Sequence, residues 1–190
     1  MPLSQITLTL RQIHSQHEKI VFMKTNSLYN YQLNQTDTYM MSTLFVIGNL
    51  IMPQICHFFG TGHVWLPIYF FTLIGAYKYG MAVGLLTAIF SPLINHLMFG
   101  MPPLAVLPSI FCKSVVLAVV AGMIAEKTNK VTLLTLLATV LAYQVIGTLG
   151  EFALFQHNFY AAIIDFRMGI PGMLLQVFGG YLLLKYVLNK

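Results

Sequence analysis

The sequence predicts an all-α integral membrane protein, a six-transmembrane-helix bundle with both termini in the cytoplasm, and three observations carry that prediction. Hydrophobic residues make up 57% of the chain and charged residues only 8%, against about 25% charged in a soluble domain. From Tyr39 onward the apolar residues fall into six runs, most of them near the length that crosses a bilayer. The basic residues collect in alternate connections between those runs. A mean hydropathy of +0.76 agrees.

Residues 1–38 form a polar segment, on which Ile6, Leu10, Ile13 and Ile20 trace one apolar stripe of a weak helix. No apolar core or cleavage site follows its charges, so no secretory leader is expected. An interfacial helix, a disordered tail and a true start at Met23 are its three readings, and a dispensable cytoplasmic tail carries most weight. Residues 39–190 are the membrane domain, with spans at 40–59, 64–77, 79–99, 104–125, 131–155 and 167–188. The second is short for a crossing and is expected to tilt or to continue into its neighbours. Pro53 should kink the first.

The third span organises the rest. Gly80, Gly84 and Ala88 recur every four residues, so one helix face lacks side chains that would hold a neighbour away. Past them Pro92 is expected to end or loosen the helix beside Ser91, Asn95 and His96. Gly100, Met101, Pro102 and Pro103 then make a rigid turn.

Orientation follows from the Lys and Arg residues. With six crossings, Arg11, Lys19, Lys24, Lys78, Lys127, Lys130, Lys185 and Lys190 share one side and Arg167 alone takes the other. The basic-rich side is cytoplasmic, so the 60–63, 97–103 and 156–166 connections face outward. The net charge of +5 thereby reflects orientation, since no basic stripe with interleaved aromatics suggests nucleic acid.

Polar residues inside the spans are the candidate site. Lys113 is expected about 13 Å down the fourth span, where burial costs about 2.5–3.5 kcal/mol and calls for a partner. Glu151 on the fifth span is the one acid at comparable depth. The pair either binds a solute or only locks two helices. Gln144 lies two turns below Glu151, Asn95 and His96 reach the same half from the third span, and Gln176 from the sixth. Four helices thus direct polar groups to one level, as in a bundle-core binding site, although a lone Gln or Asn is often interhelical glue. His63, Trp65 and Arg167 in the outer loops are lid or entrance candidates, with an interfacial aromatic belt the plainer account of Trp65. Cys56 and Cys112 lack any metal or redox spacing. No Walker A, GxSxG or HExxH motif is present, so neither catalysis nor a cofactor held by this chain is expected, and no metal.

The run LPIYFFTLIGAYKYGMAVGLLTAIFSPLINHLMFGMPP, Leu66 to Pro103, resembles the matching stretch of the substrate-binding S components of energy-coupling factor (ECF) transporters. The likeness is specific at Gly75, Gly80, Gly84, Pro92 and Gly100 to Pro103, and extends loosely over residues 40–188. It implies a monomeric six-helix S component in a bacterial or archaeal cytoplasmic membrane. Such a subunit captures a water-soluble vitamin or its precursor from outside, beneath a lid around Gly60 to Trp65. Its partners would be a membrane-embedded T component and a pair of cytoplasmic ATPases that use ATP, and it would topple in the bilayer to release cargo. Two departures stand out. Ser42, Thr43 and Gly48 replace the family's Ala-x-x-x-Ala docking patch, and Lys113 stands where the branch tends to carry an acid, so a carboxylate or phosphate on the solute would suit it. A gradient-driven homodimeric carrier or channel, and a membrane enzyme using His96, Glu151 or His157, are the rival classes.

Overall fold

A computed structural model describes residues 28–58, 67–154 and 166–188. Six helices follow in order: α1 (Thr36–Phe58), α2 (Pro67–Tyr79), α3 (Met81–Phe99), α4 (Leu107–Thr128), α5 (Leu133–Leu154) and α6 (Ile170–Val187). Local chemistry sets their ends. Gly100 and Asn129 take left-handed conformations after α3 and α4, and their N–H groups bond to the carbonyls of His96 and Ala125, each at 2.8 Å. Thr132 and Thr135 exchange backbone N–H to hydroxyl bonds, both 3.1 Å, in a capping box that starts α5. Pro108 and Pro171 sit in the first turns of α4 and α6, where a missing N–H costs nothing.

Five of the helices, all but α2, are long and apolar enough to cross a membrane, which marks a multi-pass membrane protein. Their outward faces agree: Met40, Leu44, Ile47, Ile51, Ile55 and Phe58 make an exposed apolar stripe along α1, a surface suited to lipid rather than water. The expected second span emerges differently. Among the described residues it is a helix of 13 residues, about 20 Å long at 1.5 Å per residue, against a hydrocarbon core of about 30 Å. It is nonetheless the centre of the bundle, packing on α1, α3, α4 and α6 and burying Pro67 to Phe70 and Thr72 to Lys78. A helix covered on all sides needs no amphipathic pattern, which is why periodicity did not single it out.

Small residues let the neighbours approach. A Cβ on Gly84 would lie 2.3 Å from the Ala76 Cβ and 3.2 Å from that of Ala118, and Ala88 on the same face is fully buried. The expected packing surface on α3 therefore exists at Gly84 and Ala88, touching α2 and α4. Gly80 does another job: it is the single residue between α2 and α3, at φ 103, and a Cβ there would lie 3.0 Å from Asn30 Oδ1. The turn thus falls at Gly80 rather than at Lys78. Pro92 does not end α3, which continues to Phe99; a proline removes only one intrahelical donor, and packing against neighbours holds the helix through it.

Residues 28–35 are built onto the bundle, so the expected break at 38/39 does not separate fold from tail; residues 1–27 lie outside the described residues. Tyr29 N–H and Tyr31 N–H donate to the carbonyls of Lys78 and Tyr79 at 2.8 and 2.9 Å, satisfying the end of α2. The Tyr29, Tyr31 and Tyr79 rings cluster with centroids 5.4, 5.7 and 5.8 Å apart. Lys78, 2% exposed, places its Nζ 5.3 Å from the Tyr29 ring centre.

Candidate solute-binding site

The site is built where α1, α3 and α5 finish and α2, α4 and α6 begin. Lys113 lies on the second turn of α4 and Glu151 on the last turn of α5, so Lys113 is about 9 Å from the start of its helix, shallower than expected. The expected partnership is present: Nζ stands 2.6 Å from Glu151 Oε2, and each residue is only 4% exposed. Glycine makes the room for it. A Cβ on Gly147, one turn before Glu151, would meet Lys113 Cγ at 2.9 Å, so the lysine stem lies in the groove left by the absent side chain. Gly150 similarly faces Cys112 Sγ at 3.4 Å.

Thr148 and Gln144 are one and two turns deeper than Glu151 on the same face of α5. The Gln144 side chain is 1% exposed. Next to it Tyr143 donates its hydroxyl to Gln176 Oε1 at 2.9 Å, both residues being fully buried, and the Tyr69 ring of α2 lies 6.0 Å from the Tyr143 ring. Gln176 stands in a π-helical turn, Leu175–Gly179, a widening of the helix that often accompanies functional sites. Among the described residues, Ser114 Oγ, Gln144 Oε1, Thr148 Oγ1 and Gln176 Nε2 are buried with no hydrogen-bond partner. Leaving such an atom unmet costs about 1–3 kcal/mol, so these four, on α4, α5 and α6, are polar groups that the fold itself leaves unsatisfied.

The other expected site residues are placed elsewhere. Asn95 is buried but its Oδ1 accepts from Gln54 Nε2 of α1 at 3.2 Å, and His96 Nδ1 lies 2.7 Å from the Pro102 carbonyl, facing its own turn. The expected cluster of six thus divides, with Lys113, Glu151, Gln144 and Gln176 around α5 while Asn95 and His96 bond to α1 and the 97–103 turn. Arg167 is exposed, and His63 and Trp65 lie outside the described residues. Sequence reasoning also missed a buried knot. Asn49 Nδ2 donates to Thr72 Oγ1 at 3.0 Å and Ser91 Oγ at 3.1 Å, and its Oδ1 accepts the Phe71 N–H at 3.2 Å. An Asn within an apolar span was the available signal, whereas nothing distinguishes Ser114 or Thr148 from hydroxyls that bond back to their own helix.

No protein-family model matches the chain, and no curated protein or solved structure matches it. Its function is therefore argued from the chemistry of the site. Among the described residues no three His, Cys, Asp or Glu side chains come together to hold a metal. At the opposite end of the bundle a cavity of about 220 Å³ opens between residues 28–30 and the ends of α2 and α4, lined by Tyr29, Asn30, Tyr77, Gly80, Glu126 and Asn129 among others.

Proposed function

We propose that this protein is a membrane-embedded receptor subunit for a small water-soluble solute, working as the substrate-binding S component of an ECF-type importer. One observation carries the receptor reading: a buried ion pair and four unmet polar atoms, contributed by α4, α5 and α6, lie inside a bundle whose outer surface is apolar. Helix glue alone needs satisfied groups, as at Asn49; unmet ones are costly unless a guest meets them. The importer assignment rests on the Leu66–Pro103 residues quoted above. In it the chain crosses the cytoplasmic membrane of a bacterium or archaeon six times, with α2 in the second crossing. Both termini lie inside, and the α5 end of the bundle opens outward.

In this reading the residues bind and do not catalyse. Lys113 and Glu151 offer a fixed dipole, Gln144 an acceptor and Gln176 a donor. Energy comes from partners, a T component and two ATPases hydrolysing ATP. Purifying the full chain in mild detergent and identifying small molecules that accompany it by mass spectrometry tests the receptor reading. Lys113→Ala and Glu151→Ala should each lose the accompanying solute while circular dichroism stays helical, and undiminished retention by both overturns the assigned pocket.

The cavity near Tyr29 and Glu126 favours a second reading, a gradient-driven carrier or channel with a site at each end. Vesicles containing this chain alone separate the two. A carrier accumulates the solute down an imposed gradient, whereas an S component needs ATP and its partner subunits.

A further inference from the structure

The end of the bundle away from Lys113 carries Lys78, Lys127 and Lys130, yet the cavity set into it is acidic. We infer that this cavity, of about 220 Å³, binds a small organic amine in its ammonium form, seated on Glu126 beside residues 28–30. It is a second site, and the inference stands independently of the receptor reading.

Charge sets the class of guest. None of the three lysines lines the cavity, and Glu126 is the one charged side chain that does. Among the described residues no ion pair or side-chain hydrogen bond reaches Glu126, and it is exposed, so a solute can reach it. The local fold explains why the lysines leave it alone. α4 stops at Thr128 and Asn129 turns left-handed at φ 49, so Lys130 does not fall one helical turn beyond Glu126, where the two would pair. Lys78 is 2% exposed and holds its Nζ 5.3 Å from the Tyr29 ring centre.

The backbone adds to this. The last turn of α4 and the end of α2 at Tyr77 line the cavity, against a single opening turn, that of α3 at Met81. Two helix C-termini facing one N-terminus leave the field of the peptide dipoles negative, which favours a cation.

Size and lining make the cation an organic one. An apolar cavity of about 150 Å³ takes up benzene, so this one has room for a ring or short chain bearing an amino group. Leu28, Met81 and Ala125 supply apolar wall. Met81 also packs on Gly122, where an added Cβ would lie 2.8 Å from the Met81 Cβ, and this closes the space between α3 and α4. The Asn30 and Asn129 amides line the same cavity and can accept further ammonium protons. Amides serve donors and acceptors alike, so the sign of the guest's charge rests on Glu126. A bare divalent metal ion asks for about six oxygens or more, which one carboxylate and two amides do not supply.

Residues 28–30 form one wall, tied to α2 by the Tyr29 N–H bond to the Lys78 carbonyl at 2.8 Å. A guest lodged between that wall and α4 therefore holds the segment in place.

The test uses three probes of one size, benzylamine, benzyl alcohol and benzoate, titrated into the purified full chain in neutral detergent by calorimetry. Benzylamine is expected to bind at least about tenfold more tightly than either other probe, the worth of one charge-assisted hydrogen bond. Glu126→Gln keeps the shape, removes the charge at an exposed position, and should bring the three probes to within about twofold of one another. Saturating benzylamine should also slow hydrogen exchange of the 28–35 segment by about tenfold. Benzoate or benzyl alcohol binding as tightly as benzylamine overturns the inference, as does failure of benzylamine to bind. A preference that survives Glu126→Gln, or exchange at 28–35 indifferent to bound benzylamine, removes the guest from this cavity. None of these outcomes touches the Lys113 pocket, which is judged by the solute retained on purification.

Discussion

The Lys113–Glu151 pair concentrates the residue-scale chemistry. Removing one partner of a buried pair leaves an uncompensated charge, which costs about 3–5 kcal/mol, while replacing both by apolar or neutral groups of similar volume is often near neutral. Lys113→Met and Glu151→Gln should therefore each lower the thermal midpoint in detergent, and the double variant should recover most of the loss. A double variant as unstable as the sum of the singles contradicts direct coupling at 2.6 Å. Tyr143→Phe separates a neighbouring contact: it strips the donor from Gln176 Oε1 and should cost about 1–2 kcal/mol, read as a lower midpoint of thermal unfolding.

At the scale of elements, glycine decides how closely helices lie. A methyl on Gly84 would sit 2.3 Å from the Ala76 Cβ, so Gly84→Ala forces α2 and α3 apart, whereas a methyl on Gly150 meets only Cys112 Sγ at 3.4 Å. Gly84→Ala is expected to lose about 1–3 kcal/mol and Gly150→Ala to be almost silent, measured by thermal unfolding of the two variants side by side. Equal effects would show that α2–α3 packing is not limiting. Gly80 is constrained by conformation instead: at φ 103 any side chain is strained, by roughly 1–3 kcal/mol, and Gly80→Ala should also loosen the Asn30–Tyr31 strap that crosses the turn. The strap was invisible in composition, because residues 28–35 are polar and look like tail until the α2 carbonyls they satisfy are seen.

For the whole molecule the deciding quantity is the side of the membrane on which each turn lies. In a Cys56→Ala, Cys112→Ala background, Met101→Cys and Lys127→Cys, both exposed, should label from opposite faces of intact cells with an impermeant maleimide. Met101 is expected outside and Lys127 inside; labelling of both from one side overturns the alternating path from α3 through α4.

What the residues alone determined is the membrane setting, the bounds of most helices and the Lys113–Glu151 partnership. These follow from local hydropathy and from the cost of a buried charge, which leaves a lysine at that depth one acid to meet. Which other polar groups join them was settled by tertiary packing alone. Asn95 and Gln144 are both amides within apolar spans, yet one meets Gln54 and the other keeps a buried, unmet oxygen. Azimuth and approach depend on contacts summed along whole helices, such as Gly84 on Ala76 and Gly147 on Lys113, and no local pattern carries that sum.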